Sequence, residues 1–491
     1  MRAILFVMCL CCGWPAFGQT VTLSFPDGSF SVSGQLMDFD GEYYDISTSY
    51  GVLTLSSATT VCTGADCPDP ADFVPVIRIA GSAALGELLV PELISDFATQ
   101  NGWILNIAPV DDTRVDVDMK RPDNRVIGRF QVMLSSTSAG YTALAEHRAD
   151  IIMARRSPLP AEQANIAAAY QGGSYQPYRT RVIGWENLRL YTNTDNATDV
   201  LTISQLIKMM EPGRAVWPDE TAVHLRGDID SVIAMMQQFE HETVVPPMNT
   251  GGDTDQGVVF ITPNLTLPLQ HITLSPTCGI ANNGLAFEPD THPLSSPLYL
   301  ITPTVRQSHM LRQFLDYALS VGAQRVVSEV GYKSRTISET ALTSESGFLV
   351  NAILNATPDT VVEDLQRAVQ ELHGFGRLSL SFRFEEGTQV LDAVSQSNLD
   401  FAAALLQQPQ YENRRFIFAG FSDGTGAAAI NRALSENRAN FVRNAIRTRM
   451  GDQAMMIENT AVFGFGEALP LACNDTSWGQ NQNRRVEIWI Q

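Results

Sequence analysis

Two charged residues near the carboxyl end have the clearest potential for binding chemistry. Asp423 lies in a predicted turn before Gly424, and Arg438 lies fifteen positions later on the next predicted helix. An arginine can hold a carboxylate through two parallel hydrogen bonds, and a braced aspartate can accept hydrogen bonds from an ammonium group. Each residue alone is more often a turn residue or a surface charge. Together they suit a ligand that carries both charges.

The helix that carries Arg438 has a predicted apolar stripe. On this helix Asn431 and Arg438 fall side by side at the edge of the stripe. We therefore expect the guanidinium of Arg438 to be partly shielded and to face a pocket beside the turn. The stripe is formed by Ile430, Leu434, Phe441 and Ala445.

Short motifs surround the two charges in a fixed order. They are Phe421-Ser422-Asp423-Gly424-Thr425-Gly426, Leu434-Ser435-Glu436-Asn437-Arg438-Ala439, Gly464, Gly466, Pro470, Asn474 and Asn483-Arg484-Arg485-Val486-Glu487. With these motifs, residues 376–491 resemble OmpA-like peptidoglycan-binding domains, which have an α+β fold. Phe421 stands where that family usually has His, and Ser422 where it has Thr. Neither change removes a charge, so we expect binding to be retained.

The resemblance implies a ligand and a set of contacts. Asp423 and Arg438 would hold the ammonium and the carboxylate of diaminopimelate in the peptide stem of peptidoglycan. The remaining polar rim would come from Asn431, Asn483 and either Arg484 or Arg485.

Residues 75–338 alternate short apolar strands with helical segments, which favours an α/β sheet. Four motifs stand out in this segment: Ala80-Gly81-Ser82-Ala83-Ala84, Thr137-Ser138-Ala139-Gly140, Ala149–Met153 and Phe314–Ser320. Through them the segment resembles the two-lobed periplasmic solute-binding proteins of the PstS-like, phosphate-binding family.

That resemblance implies an oxyanion cradled by hydroxyl and backbone N–H groups at helix starts. Arg155 stands where phosphate binders place an aspartate, and Asp228 and Asp230 crowd the second-lobe motif. A buried carboxylate beside a phosphate is costly unless it is protonated. A receptor fold retained for another ligand, or for docking a protein, therefore has equal weight. The candidate anion-binding residues are Ser82, Thr137, Ser138, Arg155, Arg226 and Ser231.

Composition limits the choice of partners. The chain has 491 residues, which is too long for a single hydrophobic core. Its 33 basic and 53 acidic residues give a formal net charge of −20. Such a surface repels nucleic acid, so we expect no nucleic-acid partner.

The amino-terminal region predicts export. Residues 1–18 have a basic start, an apolar run and a small-residue cleavage site, as in a secretory signal peptide. No small residue directly precedes a cysteine of this leader, so lipid attachment is not expected. Residues 19–70 alternate apolar and polar side chains between turns and predict a small all-β module of about four strands.

The cysteines fit an exported protein. Cys62 and Cys67 close a short loop at the end of the β module, which favours a disulfide over a metal site. Cys278 and Cys473 fall in different predicted domains. Residues 339–375 are predicted to be a linker that contains a helix, ahead of the domain at 376–491.

We therefore predict a multidomain, periplasmic, wall-tethered binding protein associated with peptidoglycan and with the outer-membrane side of the envelope. No enzyme signature, cofactor motif or metal-binding pair is apparent in the sequence. The central domain is predicted to bind a small, phosphate-like anion. The alternative is a structural envelope linker whose receptor-like domain docks a protein partner and binds no solute.

Overall fold

The described part of the protein forms three β-sheets in chain order. The computed structural model describes residues 20–170, 177–192, 200–210, 224–227, 229–238, 258–263, 270–275, 294–342, 349, 352–353, 361–385, 388–452 and 460–491. The predicted signal peptide and Cys278 lie outside these residues. Within them, no helix combines the length and the apolar character needed to cross a membrane.

The first sheet is an antiparallel module in which buried and exposed side chains alternate. Val21 and Leu23 on its first strand are fully buried, as the two-residue period of a strand requires. Cys62 and Cys67 form the predicted disulfide. The strands are β1 (Thr20–Ser24), β2 (Ser31–Phe39), β3 (Tyr43–Thr48), β4 (Gly51–Ser56) and β5 (Val61–Thr63). Their order is β4-β3-β2-β1-β5, with one strand more than predicted.

Ion pairs hold this module against the central domain. Arg306 Nε lies 2.6 Å from Asp40 Oδ2, and Arg306 Nη2 lies 2.7 Å from Asp45 Oδ2. Arg312 Nη2 lies 2.6 Å from Glu42 Oε2. The acidic edge of the small module therefore meets a basic edge of its neighbour.

The central domain has the predicted α/β architecture. Its strands are β6 (Val76–Ser82), β7 (Ile104–Asp111), β8 (Arg114–Lys120), β9 (Val126–Ser135), β10 (Ile151–Ala154), β11 (Tyr178–Thr192), β12 (Val200–Thr202), β13 (His224–Gly227), β14 (Val258–Pro263), β15 (Gln270–Ser275) and β16 (Ser295–Pro303). Its helices are α1 (Ala83–Gln100), α2 (Thr137–Ala145), α3 (Pro160–Ala169), α4 (Ile203–Met210), α5 (Ile229–Gln238), α6 (His309–Ala318) and α7 (Val321–Glu329).

Strand β11 connects the two lobes of this domain. Its residues 178–187 pair with β16, and its residues 188–192 pair with β14. The sheet runs β12-β15-β11-β16-β10-β6-β9-β8-β7, and β13 joins it through β14. The first lobe contains β6 to β10 with α1 to α3, and the second contains β12 to β15 with α4 and α5. The two-lobed prediction is confirmed.

The third sheet belongs to the carboxyl-terminal domain and is covered by helices on both faces. Its strands are β17 (Glu339–Ala341), β18 (Gly376–Arg383), β19 (Phe416–Gly420), β20 (Ala461–Gly464) and β21 (Arg485–Ile490), in the order β17-β18-β21-β19-β20. Its helices are α8 (Val362–Leu372), α9 (Ala393–Leu406), α10 (Ala428–Met450) and α11 (Ser477–Asn483). Phe416 and Phe418 face the core shared with α9 and α10, whereas Ile417 and Ala419 face the core shared with α8. The predicted α+β class is confirmed.

The segment that was predicted as a linker contributes to this domain. Strand β17 pairs with β18, and Ala368 and Leu372 of α8 are fully buried in the core. The chain between the central and carboxyl-terminal domains is therefore partly built into the second of them.

Helix α10 corrects the predicted apolar stripe. Ile430 and Phe441 are 67% and 43% exposed. The buried face instead contains small residues in its first half, because α10 packs closely on two strands. A Cβ at Gly420 would lie 2.0 Å from the carbonyl oxygen of Ser435, and one at Gly464 would lie 2.3 Å from that of Arg432. The buried residues are Asn431, Ser435, Arg438, Ala439, Val442, Ile446 and Met450.

Candidate functional site

The turn after β19 fixes the position of Asp423. Its Oδ1 atom accepts a hydrogen bond from the backbone N–H of Thr425 at 2.9 Å. Its Oδ2 atom lies 2.9 Å from Nη1 of Arg484. A carboxylate offers about four acceptor positions, so Asp423 retains room for a donor from a ligand.

Arg438 presents a buried cation beside this turn. The residue is 4% exposed, and its guanidinium lies 5.1 Å from the centre of the Phe384 ring. Its Nε and Nη1 atoms are buried and donate to no acceptor among the described residues. Burial lowers the pKa of Arg438 and the charge of Arg484 lowers it further, while Asp423 opposes both effects. Arginine nevertheless stays charged at neutral pH, so this site calls for an anionic group.

Arg484 adds a second cation with open donor positions. Nη1 binds Asp423, whereas Nε and Nη2 are buried without an acceptor among the described residues. Glu467 lies nearby and accepts a hydrogen bond from Asn431 at 2.9 Å. Two carboxylates and two guanidinium groups thus surround the turn. Balanced charges of this kind suit a zwitterionic ligand better than a simple anion.

The two predicted asparagines brace the loops around the site. The Nδ2 atom of Asn431 donates to Glu467 and to the carbonyl oxygen of Thr425 at 3.1 Å. Asn483 Oδ1 accepts from the backbone N–H of Leu471 at 2.8 Å, and its Nδ2 donates to the carbonyl oxygen of Ala472 at 2.8 Å. Their side chains therefore position the pocket walls.

Arg485, which was predicted as a rim candidate, lies in the interior of the domain. It is 1% exposed, and its Nε lies 2.7 Å from Glu487 Oε1. Its Nη2 donates to the carbonyl oxygen of Leu469 at 2.8 Å, and its guanidinium covers the Phe421 ring at 4.2 Å. These contacts correct its predicted rim position to one in the domain core, and Arg484 is the arginine that contacts Asp423.

Sequence reasoning missed two contributors to the site. Phe384 lies under Arg438 although 54 positions separate them, and Glu467 binds Asn431 from 36 positions away. The Gly466-Glu467 sequence after β20 was the local signal for the second contact. No local pattern pointed to the first.

Three of the predicted anion-site residues of the central domain, Thr137, Arg155 and Ser231, already make hydrogen bonds to other residues of the protein. Thr137 Oγ1 donates to Asp230 Oδ2 at 2.6 Å. Arg155 lies 2.7 Å from Glu186 and donates to Ser231 Oγ at 2.9 Å. The cation that was predicted to favour an ionised ligand is therefore neutralised by a carboxylate of the protein.

Ser138, another predicted residue, also binds a side chain of the protein. Ser138 Oγ accepts from Nη2 of Arg156 at 2.7 Å, and Arg156 also pairs with Glu162 at 2.8 Å and Asp230 at 3.3 Å. Ser82 is buried at the start of α1 and makes no capping hydrogen bond with its side chain. The side chain of Arg226 lies outside the described residues.

The described residues contain no cluster of potential metal ligands. Cys473 is disulfide-bonded.

The sequence was compared with protein families and with individual known proteins. The OmpA family matches residues 383–484. The chain is 32% identical over 136 residues to the putative lipoprotein YfiB of Escherichia coli, covering 27% of this chain and 82% of that protein. It is 34% identical over 107 residues to the probable lipoprotein YiaD of the same organism, covering 22% of this chain and 46% of that protein. The chain thus spans less than half of YiaD.

Two further similarities were found. The peptidoglycan-binding protein ArfA of Mycobacterium tuberculosis is 36% identical over 76 residues, covering 16% of this chain and 22% of that protein. A phosphate transport receptor from Vibrio cholerae superposes with a TM-score of 0.36 at 16% identity, covering 52% of this chain and 99% of the receptor. Through its carboxyl-terminal domain, the chain belongs to the OmpA family.

Proposed function

We propose that the carboxyl-terminal domain binds peptidoglycan of the diaminopimelate type. Arg438 holds a carboxylate of the stem peptide, and Asp423 accepts hydrogen bonds from an ammonium group. The observation that carries this proposal is the buried guanidinium of Arg438, whose Nε and Nη1 have no acceptor among the described residues. A buried charged donor without a partner is costly, and a ligand carboxylate supplies that partner.

The similarity to a named peptidoglycan-binding protein supports the same ligand. Arg484 supplies a second cation, and Asn431 and Asn483 hold the loops in place. We define Asp423, Arg438 and Arg484 as the clamp.

Peptidoglycan as the ligand implies a periplasmic location. The predicted leader at residues 1–18 and the disulfide between Cys62 and Cys67 support export. The protein would then be tethered to the cell wall by the clamp, with its other two domains held next to the wall.

Co-sedimentation with purified sacculi tests the clamp. Asp423→Ala and Arg438→Ala should each abolish pelleting. The first removes the carboxylate proposed to bind the ligand ammonium, and the second removes the guanidinium proposed to bind the ligand carboxylate. Arg443→Ala is the matched control, since Arg443 lies on the same helix and contacts only Asn444 among the hydrogen bonds described. If both clamp variants pellet like the wild type while remaining folded, the assignment is wrong.

For the central domain, we favour a structural role over phosphate binding. Thr137 and Arg156 already contact Asp230 from the opposite lobe, and Arg155 is paired with Glu186. A phosphate would have to displace these carboxylates or lie beside them, and both are unfavourable in a buried site. The receptor-like domain would then present surfaces to the wall or to an envelope protein.

Calorimetry separates this role from the phosphate-like alternative. Titration of the mature chain with phosphate and sulfate should give no binding heat. Saturable binding of either ion, weakened by Ser231→Ala, would favour the solute-binding alternative instead.

A further inference from the structure

A cavity of about 450 Å³ lies between the central and carboxyl-terminal domains. Both domains contribute to its walls. The central wall includes Trp185, Gln237 and Tyr299, and the opposite wall includes Phe384, Asp392 and Gln482.

A second cavity of about 850 Å³ continues from the first. The two share Ser157 and Gln237 on the central wall and Glu385, Asp392 and Ala393 on the opposite wall. The larger cavity then extends along α3. We call the two together the inter-domain groove.

The inner end of the groove adjoins the clamp. Phe384 lines the groove and also lies 5.1 Å under the guanidinium of Arg438. Gln482 lines it and precedes Asn483 and Arg484 in sequence, and Arg484 binds Asp423. The inner end of the groove is therefore next to the clamp, separated from Arg438 by the Phe384 ring.

Two buried polar atoms in the groove lack partners. The Oε1 atom of Gln482 and the Oγ atom of Ser295 make no hydrogen bond to any described residue. Gln482 is 7% exposed and Ser295 is 1% exposed. Buried polar groups normally have partners, so these two atoms are positions at which a ligand with hydrogen-bonding groups would supply the missing partner.

The groove carries charges of both signs together with neutral polar groups. Glu385 and Asp392 face it from the same wall as Arg383. Burial raises the pKa of Glu385, and the charge of Asp392 raises it further. The lining also offers neutral donors and acceptors, among them Ser157, Gln237 and Gln482, and amide and hydroxyl groups can hydrogen-bond to both kinds.

The walls of the groove are fixed relative to each other by buried contacts. The backbone N–H of Val182 donates to Ser397 Oγ at 2.8 Å. Arg335 Nη2 donates to Asn398 Oδ1 at 2.7 Å, and its guanidinium lies 4.2 Å from the centre of the Phe401 ring. A groove that is already shaped loses less entropy when it binds a ligand.

We propose that the central domain forms the second wall of the peptidoglycan site. The inter-domain groove binds the amide- and hydroxyl-bearing part of the same peptidoglycan ligand that extends beyond the clamped diaminopimelate. This inference rests on the proposed function of the clamp. It gives the central domain a direct part in wall binding.

The test uses the mature full chain and three ligands: the stem tripeptide ending in diaminopimelate, the stem pentapeptide, and the tripeptide joined to its disaccharide. The two larger ligands distinguish peptide from sugar as the occupant. At least one of them should bind the wild type about tenfold more tightly than the tripeptide.

Filling the groove should remove this gain. Gln237→Trp blocks it from the central wall and Ala393→Trp from the opposite wall, so one variant remains if the other fails to fold. Each should leave tripeptide affinity within about twofold of the wild type. Ala168→Trp is the control, since Ala168 is exposed on α3 outside the groove lining.

Two results would overturn the inference alone. One is equal affinity of the wild type for all three ligands, and the other is a gain that survives in both groove variants. Failure of the wild type to bind the tripeptide, or tripeptide binding that Arg438→Ala leaves unchanged, would overturn the clamp and this inference with it.

Discussion

At the scale of single residues, the carboxyl-terminal domain uses buried arginines in two ways. Arg377 and Arg485 share Oε1 of Glu487, at 2.8 and 2.7 Å, in the interior. Arg438 is buried to a similar extent but keeps Nε and Nη1 without an acceptor among the described residues. Buried charges persist when they are paired. The charges of Arg377 and Arg485 are therefore paired with a carboxylate of the protein, whereas a ligand carboxylate would supply the acceptor for Arg438.

Glu487 gives a prediction for the pH dependence of stability. Burial alone would raise its pKa, but Arg377 and Arg485 outweigh burial and lower it to about 2 from an ordinary 4.5. A carboxyl group with a lowered pKa stabilises the fold above its ordinary pKa, and this contribution is lost as pH falls through 4.5 toward 2. Because a pKa difference of one corresponds to about 1.4 kcal/mol, the contribution is about 3 kcal/mol.

Denaturant unfolding of the wild type and of Glu487→Gln, from neutral pH to about pH 2, measures this contribution. The wild type should lose more stability on acidification than the variant. Glu412→Gln is the control, because Glu412 is exposed. Parallel curves for the wild type and Glu487→Gln would contradict the prediction.

At the scale of elements, helix α10 positions Arg438 through its close approach to the sheet. Gly420 and Gly464 allow this approach, because a side chain at either position would collide with the helix backbone. The face of α10 that meets the sheet is therefore set by small residues such as Ser435 and Ala439. The apolar side chains of Ile430 and Phe441 are exposed instead.

The two isoleucines of this helix test which face is buried. Ile446 is fully buried and Ile430 is 67% exposed. Ile446→Ala should destabilise the protein by about 2–5 kcal/mol, since it leaves a cavity in the core. Ile430→Ala should change stability by no more than about 0.5 kcal/mol. Denaturant unfolding measures both changes. Equal losses of stability in the two variants would show that α10 buries a different face from the one described.

The sequence predicted the classes of the domains and the turn that carries Asp423, because periodicity and turn residues are local signals. It misplaced the buried face of α10, since helical spacing alone does not show how closely a sheet approaches. It also missed the contact of Asp230 with Thr137 across 93 positions. Such contacts depend on how the lobes meet, and no local pattern encodes that.

At the scale of the whole molecule, Arg335 links the central domain to the carboxyl-terminal domain. Its Nη1 atom donates to the carbonyl oxygen of Val182 at 2.8 Å, and its Nη2 atom donates to Asn398. The backbone N–H of Arg335 also donates to Gln324 at 2.6 Å. A buried junction of this kind should make the two domains unfold together.

Arg335→Ala should uncouple them. Because the change leaves buried acceptors on both sides without a donor, we expect one calorimetric transition in the wild type and two separated transitions in the variant. Arg443→Ala, on the surface of α10, should retain the wild-type profile. A single transition in Arg335→Ala would show that the junction depends on other contacts.

The most direct test of the clamp compares two stem tripeptides by calorimetry, one ending in diaminopimelate and one ending in lysine. Lysine lacks the side-chain carboxylate that Arg438 is proposed to hold. The wild type should prefer the diaminopimelate peptide by about tenfold or more, and Arg438→Ala should abolish this preference. Equal affinity of the wild type for both peptides would contradict the account.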